Sequence, residues 1–453
     1  MIKAWRLAWR NLRRNFWRNV GTGSAIAFGF AGLVIVGGYV RRIDDFLSVA
    51  SIYLDHAGHV SIYADGGLER SGVKPRQYSL SADAQTAIAE VVKADPRVEH
   101  VGRYLSGIGL AGNGCKTVPF MAKGIEPDDD RWVRGHPHVA GTMPDLARPV
   151  RGLTLSDATG EPRPLSLSTG LARLLGKSRV KGELPAVRPG PLIYDCDKPG
   201  TTEQIAASSA IQLLGLAFDG SFSVIDADLV GIHTTGLAQT EDSSVIVPLA
   251  KLQELYNTDK VTYMAVYLRD VSNVQSCAHD LEARLRARGL SVSVFAYDDE
   301  RISRIFVGTH AFLIAMASFM GTIVFLVVVL SIVNSMTMTI FERTREIGTF
   351  RSLGFTRRNM IGLFLRESMI LTAVGVAVGL AFALGVCLAV NAANLRFSPP
   401  GIAGDMQFRL EPGAALCIAF AVVMIALSAV ATALTVRGRI KLKVAELNTA
   451  VTG

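Results

Sequence analysis

The chain contains four long stretches without a single Asp, Glu, Lys or Arg, and segments of mixed polarity separate them. These stretches are Val20–Val40, Ile305–Phe341, Ser368–Leu395 and Gly413–Val436. The hydrocarbon core of a bilayer is about 30 Å thick and is crossed by roughly 20 apolar helical residues, so each stretch is long enough to span it. The pattern therefore predicts an α-helical membrane protein with four transmembrane helices, over 20–40, 305–341, 367–393 and 413–436.

Two of these predicted helices have additional features. At about 1.5 Å per residue, the helix 305–341 is longer than one crossing requires, so we expect it to continue outside the bilayer as a stalk. The helix 20–40 is expected to be a retained anchor. Its apolar core is longer than the roughly 7–15 residues of a cleaved signal peptide, and no small-residue cleavage motif follows it.

The segments between the stretches show other periodicities. In the segment 1–19, apolar residues recur at helical spacing beside arginines, which predicts a cytoplasmic amphipathic helix in the lipid headgroup layer. The segment 41–304 contains strand patterns such as GHVSIYAD and VTYMAVYLRD, and a helix pattern between Ser81 and Pro96. We predict a large mixed α/β domain here, inserted between the first two membrane helices. Its Gly- and Pro-rich middle, about 120–235, is predicted to be an inserted second subdomain.

Lys and Arg are unevenly distributed over the short segments. The N-terminal tail has six and no acidic residue, the loop 342–358 has five and the tail 437–453 has four, whereas the loop 394–412 has two. Because short cytoplasmic segments are enriched in basic residues, both termini and the loop 342–358 are predicted to be cytoplasmic. The segments 41–304 and 394–412 are then periplasmic. The net charge of +8 indicates membrane topology and contact with anionic lipids, not nucleic-acid binding.

Five cysteines are spread widely along the chain. Two lie within predicted spans, Cys387 and Cys417, and the other three lie in the outer domain, Cys115, Cys196 and Cys277. Three outer cysteines allow at most one disulfide, and no zinc-binding spacing is present. We expect buried thiols without a functional role, and the sequence leaves open whether any disulfide forms.

Three other patterns contain residues that could have a chemical function: Ser168–Ser178, the pairs His56/His59 and His136/His138, and the turn Pro127–Asp130. The first has five residues between its glycines where a phosphate-binding loop has four, so we expect a surface helix. The histidine pairs lack the companions of a zinc site. The acidic turn is expected to be solvated. We therefore predict no metal site, no cofactor and no catalytic constellation in this chain.

The cytoplasmic segment 342–358 combines charged and apolar residues. If its first part is helical, three apolar residues fall within one arc: Ile347, Phe350 and Leu353. Gly354 then ends the helix. A basic stop-transfer loop would need no apolar residues, so a short amphipathic helix that offers a docking surface to a cytoplasmic partner explains the mixture better.

The segment from Glu342 to Ser368, ERTREIGTFRSLGFTRRNMIGLFLRES, closely resembles the signature of the MacB/LolC/LolE/FtsX-type permeases of ABC transporters. The positions that match are Glu342, Arg343, Arg345, Glu346, Ile347, Gly348, Arg351, Leu353, Gly354 and Glu367. Outer segments such as AKGIEPDD and ADLVGIHTTGL are also similar to the periplasmic domain of that family, as is the order of one span, outer domain and three spans.

The resemblance implies a mechanotransmission permease of the bacterial inner membrane. Two permease chains, either two copies or one copy and a paralogue, would sit on a cytoplasmic ATPase dimer that binds ATP and Mg. The matching positions from Glu342 to Gly354, together with Phe350, would form the coupling surface, on which Glu342 and Glu346 pair with basic ATPase residues. Work on the periplasmic side would release or traffic lipoproteins, or export peptides or amphiphiles, with or without a periplasmic adaptor.

Two pairs of residues are expected to fix the third span. A carboxylate at the membrane boundary is costly unless it is paired, so Glu367, next to Arg366, is expected to lock the cytoplasmic loop to a neighbouring helix. Gly375 and Gly379 form a GxxxG motif, which allows another helix to approach closely.

Two other functions are consistent with parts of this pattern. An FtsX-like signal transmitter would use the same machinery to regulate a periplasmic cell-wall hydrolase without transporting anything. A membrane-anchored extracytoplasmic enzyme would leave the coupling signature unexplained. The substrate, the choice between homodimer and heterodimer, and the need for an adaptor stay open.

Overall fold

The computed structural model describes residues 16–145, 147–183, 194–271, 273–352, 354, 356–397, 403 and 406–439. For Arg345, Phe350 and Arg351 it describes the main chain alone. Residues 1–15 of the predicted amphipathic helix 1–19, most of the tail 437–453 and Leu353 lie outside the described residues, and residues 16–19 form the start of the first membrane helix.

In chain order, the helices are α1 (Phe16–Val49, followed by a π-helical turn over Ala50–Leu54), α2 (Gly67–Arg70), α3 (Pro75–Tyr78), α4 (Ala82–Lys93), α5 (Pro127–Gly135), α6 (Pro137–Thr142), α7 (Thr169–Leu174), α8 (Thr201–Ala206), α9 (Leu249–Tyr256), α10 (Val274–Ala287), α11 (Arg304–Glu342), α12 (Thr344–Ser352), α13 (Arg357–Ala392) and α14 (Ala414–Arg439). The strands are β1 (Val60–Ala64), β2 (Val98–Gly112), β3 (Thr117–Ile125), β4 (Arg151–Gly152), β5 (Pro164–Ser168), β6 (Ala210–Leu216), β7 (Phe222–His233), β8 (Ser244–Pro248), β9 (Tyr263–Leu268), β10 (Val292–Ala296), β11 (Arg396–Phe397) and β12 (Met406–Gln407).

Two compact units contain these elements. A helical unit comprises residues 1–44, 310–396 and 407–453, and an outer domain comprises residues 45–309 and 397–406. Four helices are long and apolar enough to cross a membrane: α1, α11, α13 and α14. The predicted fold class, four membrane helices with a large α/β domain between the first and second, is confirmed.

Each membrane helix is longer than the span predicted from its uncharged stretch. Helix α13 begins at Arg357, ten residues before the predicted start at 367, and the Thr356 side chain caps it by accepting from the Asn359 amide at 3.3 Å. Helix α1 likewise extends beyond 20–40 at both ends. The absence of charge marks the part of a helix that lies in hydrocarbon, whereas a helix ends where its backbone is capped.

The helical unit has a continuous apolar core. Residues from all four spans contribute to it, among them Phe30 of α1, Ile332 of α11, Phe364 of α13 and Met424 of α14. Large apolar side chains also cover the outside of these helices, as expected for surfaces in contact with lipid.

The outer domain is built on one ten-stranded sheet. The strand order is β10-β1-β9-β2-β3-β8-β5-β7-β4, and β6 pairs with both β2 and β7. Strands β1 and β9 and helix α4 confirm the sequence patterns. The Ser81 hydroxyl accepts from the Ala84 amide at 3.3 Å, as its capping position predicted.

Strand β2 connects two parts of the sheet. Its first half, Val98–Tyr104, pairs with β9, and its second half, Leu105–Gly112, pairs with β3. The second part of the sheet thus extends from Leu105 to Pro248, beyond the predicted insertion at 120–235. Glycine and proline content could not reveal this boundary, because it falls inside one uninterrupted strand.

The structure answers the open question of a disulfide and contradicts part of the expectation of a solvated acidic turn. A disulfide joins Cys115 and Cys196, with Cα atoms 5.6 Å apart, because the turn between β2 and β3 brings Cys115 beside a residue 81 positions away. Cys277 is a buried free thiol, as expected. In the acidic turn, Asp128 is exposed, whereas Asp129 and Asp130 are buried. Asp129 lies 2.7 Å from His100 Nε2, and Asp130 accepts from Arg134 Nε at 2.6 Å.

The segment Ser168–Ser178 was expected to be a surface helix, and it is partly buried instead. Strand β5 leads into the short helix α7, whose Leu171 is fully buried. The Glu241 carboxylate accepts from the Thr169 amide at the start of α7, at 3.1 Å. A side chain of the protein itself therefore occupies the position that a phosphate would take in a phosphate-binding loop.

Candidate functional site

The segment between α11 and α13 contains the predicted short helix, α12. Helix α11 ends at Glu342, and the Thr344 hydroxyl donates to the last-turn carbonyls of Ile340 and Phe341, each at 2.9 Å. Helix α12 starts at once, and the chain reverses after it at Gly354, whose φ of 89° lies in the left-handed region that glycine adopts without strain.

Helix α12 has one buried and one exposed face. Ile347 and Gly348 are buried, and Ile347 belongs to the apolar core of the helical unit together with Met360 of α13. Glu346 is exposed, as is Glu342 just before the helix. Apolar contacts thus hold the helix against the bundle while its acidic side chains face outwards.

An ion pair anchors the start of this helix. Arg343 Nη1 lies 3.0 Å from Glu367 Oε1 and 3.3 Å from Oε2, and the two side chains are only 7% and 3% exposed. The pair links the end of α11 to the third turn of α13. Because breaking a buried pair leaves an uncompensated charge, the two residues fix this corner of the bundle strongly.

The ion pair corrects one detail of the sequence interpretation and agrees with another. Arg343 was assigned to the docking set, but it is buried and faces the bundle. Glu367 was expected to lock the segment 342–358 to a neighbouring helix, and its described partner, Arg343, lies in that segment, 24 positions away. Arg366, next to Glu367, is half-buried.

A cluster of hydroxyl groups lies next to Glu367. Ser368 and Thr372 of α13 and Ser428 and Thr432 of α14 are all buried. Ser428 Oγ lies 2.7 Å from Ser368 Oγ and accepts from Thr372 at 2.6 Å, and Thr432 donates to Ser368 at 2.8 Å. Sequence analysis missed this cluster, although the i, i+4 spacing of hydroxyl residues in both uncharged stretches was a signal for it.

The GxxxG motif packs α13 against α1. A Cβ atom at Gly375 would lie 2.8 Å from Ile26 Cγ2, and one at Gly379 would lie 2.4 Å from the Ala27 carbonyl oxygen. The backbones are therefore as close as only glycine allows, and both residues have the packing role that the motif predicted.

The comparisons with known proteins concern this helical region first. Residues 318–443 match the family described as FtsX-like permease C-terminal. PvdT of Pseudomonas putida, a pyoverdine export ATP-binding/permease protein, is 30% identical over 180 residues, which are 39% of this chain and 28% of that protein. MacB of Nitrobacter winogradskyi, a macrolide export ATP-binding/permease protein, is 29% identical over 295 residues, which are 60% of this chain and 42% of that protein.

Two solved structures align with about half of the chain. The periplasmic region of MacB from Actinobacillus actinomycetemcomitans aligns with 53% of this chain and 88% of its own, with 12% identity and a TM-score of 0.31. The extracellular domain of the noncanonic ABC-type transporter YknZ from Gram-positive bacteria aligns with 52% of this chain and 98% of its own, with 12% identity and a TM-score of 0.30.

Four apolar helices and a large α/β domain after the first of them define a multi-spanning membrane protein with an outer domain. Helix α12 and the match over 318–443 make the class more specific. Over residues 318–443 the chain is similar to the FtsX-like permease family, and over 295 residues it is similar to MacB. It spans less than half the length of PvdT and of MacB.

Proposed function

We propose that this chain is the permease subunit through which a separate ATPase performs work on the periplasmic side of the inner membrane. In this proposal both termini and α12 are cytoplasmic, and an ATPase dimer that holds ATP and Mg docks on α12. A second permease chain, identical or a paralogue, completes the bundle. The single observation that best supports the proposal is a short helix with an exposed acidic face, anchored from behind by Ile347 and the Arg343–Glu367 pair.

The anchoring explains how force would pass through the molecule. A partner that pushes α12 would also move Arg343, which lies between α11 and α12. Because Arg343 is paired with Glu367 of α13, the displacement would pass to both α11 and α13. Helix α11 has 39 residues, about 58 Å at 1.5 Å per residue, which is longer than a bilayer core. A continuous helix of this length can transmit a cytoplasmic displacement to its outer end.

The work on the outer side would be export of peptides or amphiphiles, or release and trafficking of lipoproteins. The export functions in the names of PvdT and MacB support the first of these. Membrane lipids, and a periplasmic adaptor or lipoprotein, would be the further partners. Control of a cell-wall hydrolase by an FtsX-like transmitter would use the same α12 surface, and the partner that co-purifies from the periplasm would distinguish the two.

Co-purification tests the coupling proposal. The chain is expressed with its genomic neighbours, purified in detergent and examined for a stoichiometric ATPase subunit. We expect the ATPase to accompany the unmodified chain and to be lost from Glu346→Lys, because Glu346 is exposed on α12. Glu90→Lys makes the same charge reversal on an exposed position of α4 and is the matched control. An ATPase that binds Glu346→Lys as well as it binds the control would refute docking at α12.

A further inference from the structure

The outer domain contains a cavity of about 760 Å³ that the proposed coupling function does not use. All of its lining residues belong to the outer domain, and they include Asp55, His56, Lys123 and His233. Small-molecule sites in proteins have volumes of roughly 300–1,000 Å³ and combine apolar walls with a few polar groups. The cavity has the size of such a site, and its walls have the same combination of groups.

His56 is the most unusual residue of the polar wall. It is 4% exposed, and neither of its ring nitrogens has a hydrogen-bond partner within the described part of the chain. Its φ of 57° lies in the left-handed region, which residues other than glycine adopt only at a cost in free energy. It lies just after the π-helical turn Ala50–Leu54, and such turns are frequent at functional sites. A buried imidazole of this kind, held in an uncommon backbone conformation, indicates a group that awaits a ligand.

His233 is a second ring of this wall with an unsatisfied nitrogen. Its Nδ1 lies 2.8 Å from Ser166 Oγ, and that hydroxyl donates to the Gly231 carbonyl at 3.1 Å, so Nδ1 carries the proton and donates. Its Nε2 is therefore an acceptor, and no described residue donates to it. Burial lowers the pKa of His233 to about 3 and lowers that of His56 well below its usual value, so both rings are neutral at pH 7.

Positive charge outweighs negative charge in this wall. Four basic side chains line the cavity, Lys74, Arg76, Lys123 and Arg134, against two acidic ones, Asp55 and Asp130. Asp130 is already paired with Arg134 at 2.6 Å. Lys123 Nζ donates to the main-chain carbonyl of Asp55, and burial lowers the pKa of this lysine. A bound anion would favour the charged form of Lys123, since opposite charges in a poorly solvated site attract strongly.

The other side of the cavity is apolar. Ile108, Leu216 and Phe218 line it, and the first two are exposed. Tyr256 closes this side and is fixed by its hydroxyl, which donates to the Ile108 carbonyl at 3.0 Å. A ligand with a polar end and an apolar end would satisfy both walls.

We propose that this cavity binds a small organic anion with an apolar portion, such as an alkyl carboxylate or an alkyl phosphate. Lys123 neutralises the anionic group, His56 donates a hydrogen bond to it, and the apolar portion lies against Ile108 and Phe218. A metal ion fits less well, because no group of three His, Cys, Asp or Glu side chains gathers among the residues that the structure describes. The proposal is independent of ATPase docking.

A matched series of six-carbon probes tests the charge requirement. Hexanoate, hexyl phosphate, hexylammonium and 1-hexanol are titrated by calorimetry into the full chain in lipid nanodiscs, with empty nanodiscs as the blank. We expect saturable binding of at least one of the two anions, and binding at least about tenfold weaker for the ammonium and the alcohol, since a charge-assisted hydrogen bond is lost. Equal affinity for all four probes, or no binding above the blank, would overturn the proposal.

Variants locate the binding within the molecule. Lys123→Met and His56→Asn should each weaken binding of the anion about tenfold or more, and asparagine tolerates the left-handed backbone of position 56. Ile108→Ser changes an exposed side chain and should weaken hexanoate more than acetate. Lys251→Met removes a lysine outside the cavity that is paired with Glu254, and it is the control. Unchanged affinity in correctly folded Lys123→Met and His56→Asn, checked by thermal unfolding, would place the anion elsewhere.

Discussion

The Arg343–Glu367 pair is the residue-scale feature that stabilises the corner of the bundle between α11, α12 and α13. Both side chains are almost completely buried and each oxygen of the carboxylate lies near Arg343 Nη1. Taking two charges out of water is expensive, and only their mutual attraction and hydrogen bonding offset the cost. Removing one partner therefore has a larger effect than removing both.

Glu367→Gln should destabilise the protein by about 3–5 kcal/mol, because it leaves the Arg343 guanidinium buried without its counter-charge. The double variant Arg343→Met/Glu367→Met should recover most of this loss. Thermal unfolding in detergent measures both, with Arg366→Met, a half-buried arginine one position away, as the control. A single variant no less stable than the Arg366→Met control would show that the pair contributes little.

Buried histidines make the outer domain sensitive to acid. The Leu268 amide donates to His59 Nδ1 at 3.0 Å, a bond that only the neutral ring can accept. Burial lowers the pKa of His59 to about 4 and that of His233 to about 3. An unfolded histidine has a pKa of about 6.5, so between pH 6.5 and 4 the unfolded chain binds protons that the folded chain does not. The free energy of unfolding therefore falls as the pH is lowered through this window.

Each of these two histidines should remove about 2 kcal/mol of stability between pH 7 and pH 5. Hydrogen exchange of the β9 amides, corrected for the intrinsic rate at each pH, reports the free energy of opening. His59→Gln should remove the contribution of one histidine from the pH dependence of the free energy of opening. His279→Gln, at an exposed position of α10, should leave this pH dependence unchanged. Identical pH profiles for His59→Gln and the unmodified chain would contradict the assignment.

Close helix packing is the feature that matters at the scale of elements. Helices α1 and α13 touch backbone to backbone at Gly379, and α13 and α14 are joined by the Ser/Thr hydroxyl cluster. Within lipid, the hydrophobic effect does not drive apolar helices together. Close packing contacts and interhelical hydrogen bonds therefore stabilise their association.

Gly379→Ala should destabilise the bundle by about 1–3 kcal/mol, because a Cβ atom would lie 2.4 Å from the Ala27 carbonyl oxygen and the helices must separate. Gly385→Ala on the same helix has no atom within 4 Å of the new Cβ. This control should be neutral or slightly stabilising, since alanine favours a helix over glycine. Unfolding by denaturing detergent compares the two variants, and equal stabilities would mean that α1 and α13 are not held by this contact.

Local sequence patterns predicted the helices and strands well, but they did not predict contacts between residues that lie far apart in the chain. The uncharged stretches, the capping Ser81 and the GxxxG motif each act within a few residues, so the sequence alone revealed them. The Arg343–Glu367 pair joins two helices across 24 positions, and the two parts of the outer sheet share β2. Such partners are chosen by the packing of whole elements, which no single segment specifies. The cavity around His56 also depends on the packing of distant elements, so the sequence did not reveal it.

At the scale of the whole molecule, the Cys115–Cys196 disulfide connects the fold of the outer domain with the side of the membrane on which it lies. Disulfides persist in oxidising compartments and are rare in the cytosol. The bond therefore supports the periplasmic placement that the distribution of Lys and Arg predicts. It also closes a loop that spans 81 positions of the chain, within the second part of the sheet.

Cys115→Ser/Cys196→Ser should lower the stability of the outer domain by about 4 kcal/mol, because the unfolded chain regains the freedom of a loop of this length. Chemical unfolding followed by hydrogen exchange at β3 and β6 measures the loss, and Cys277→Ser, at a buried free thiol, separates disulfide effects from simple loss of a thiol.

The unmodified chain tests the topology in cells, and Cys115→Ser/Cys196→Ser is the unlabelled control. A thiol reagent added to intact cells after reduction should label Cys115 or Cys196 without disruption of the inner membrane. Labelling only after disruption would place the outer domain in the cytoplasm and reverse the proposed orientation, including the cytoplasmic position of α12.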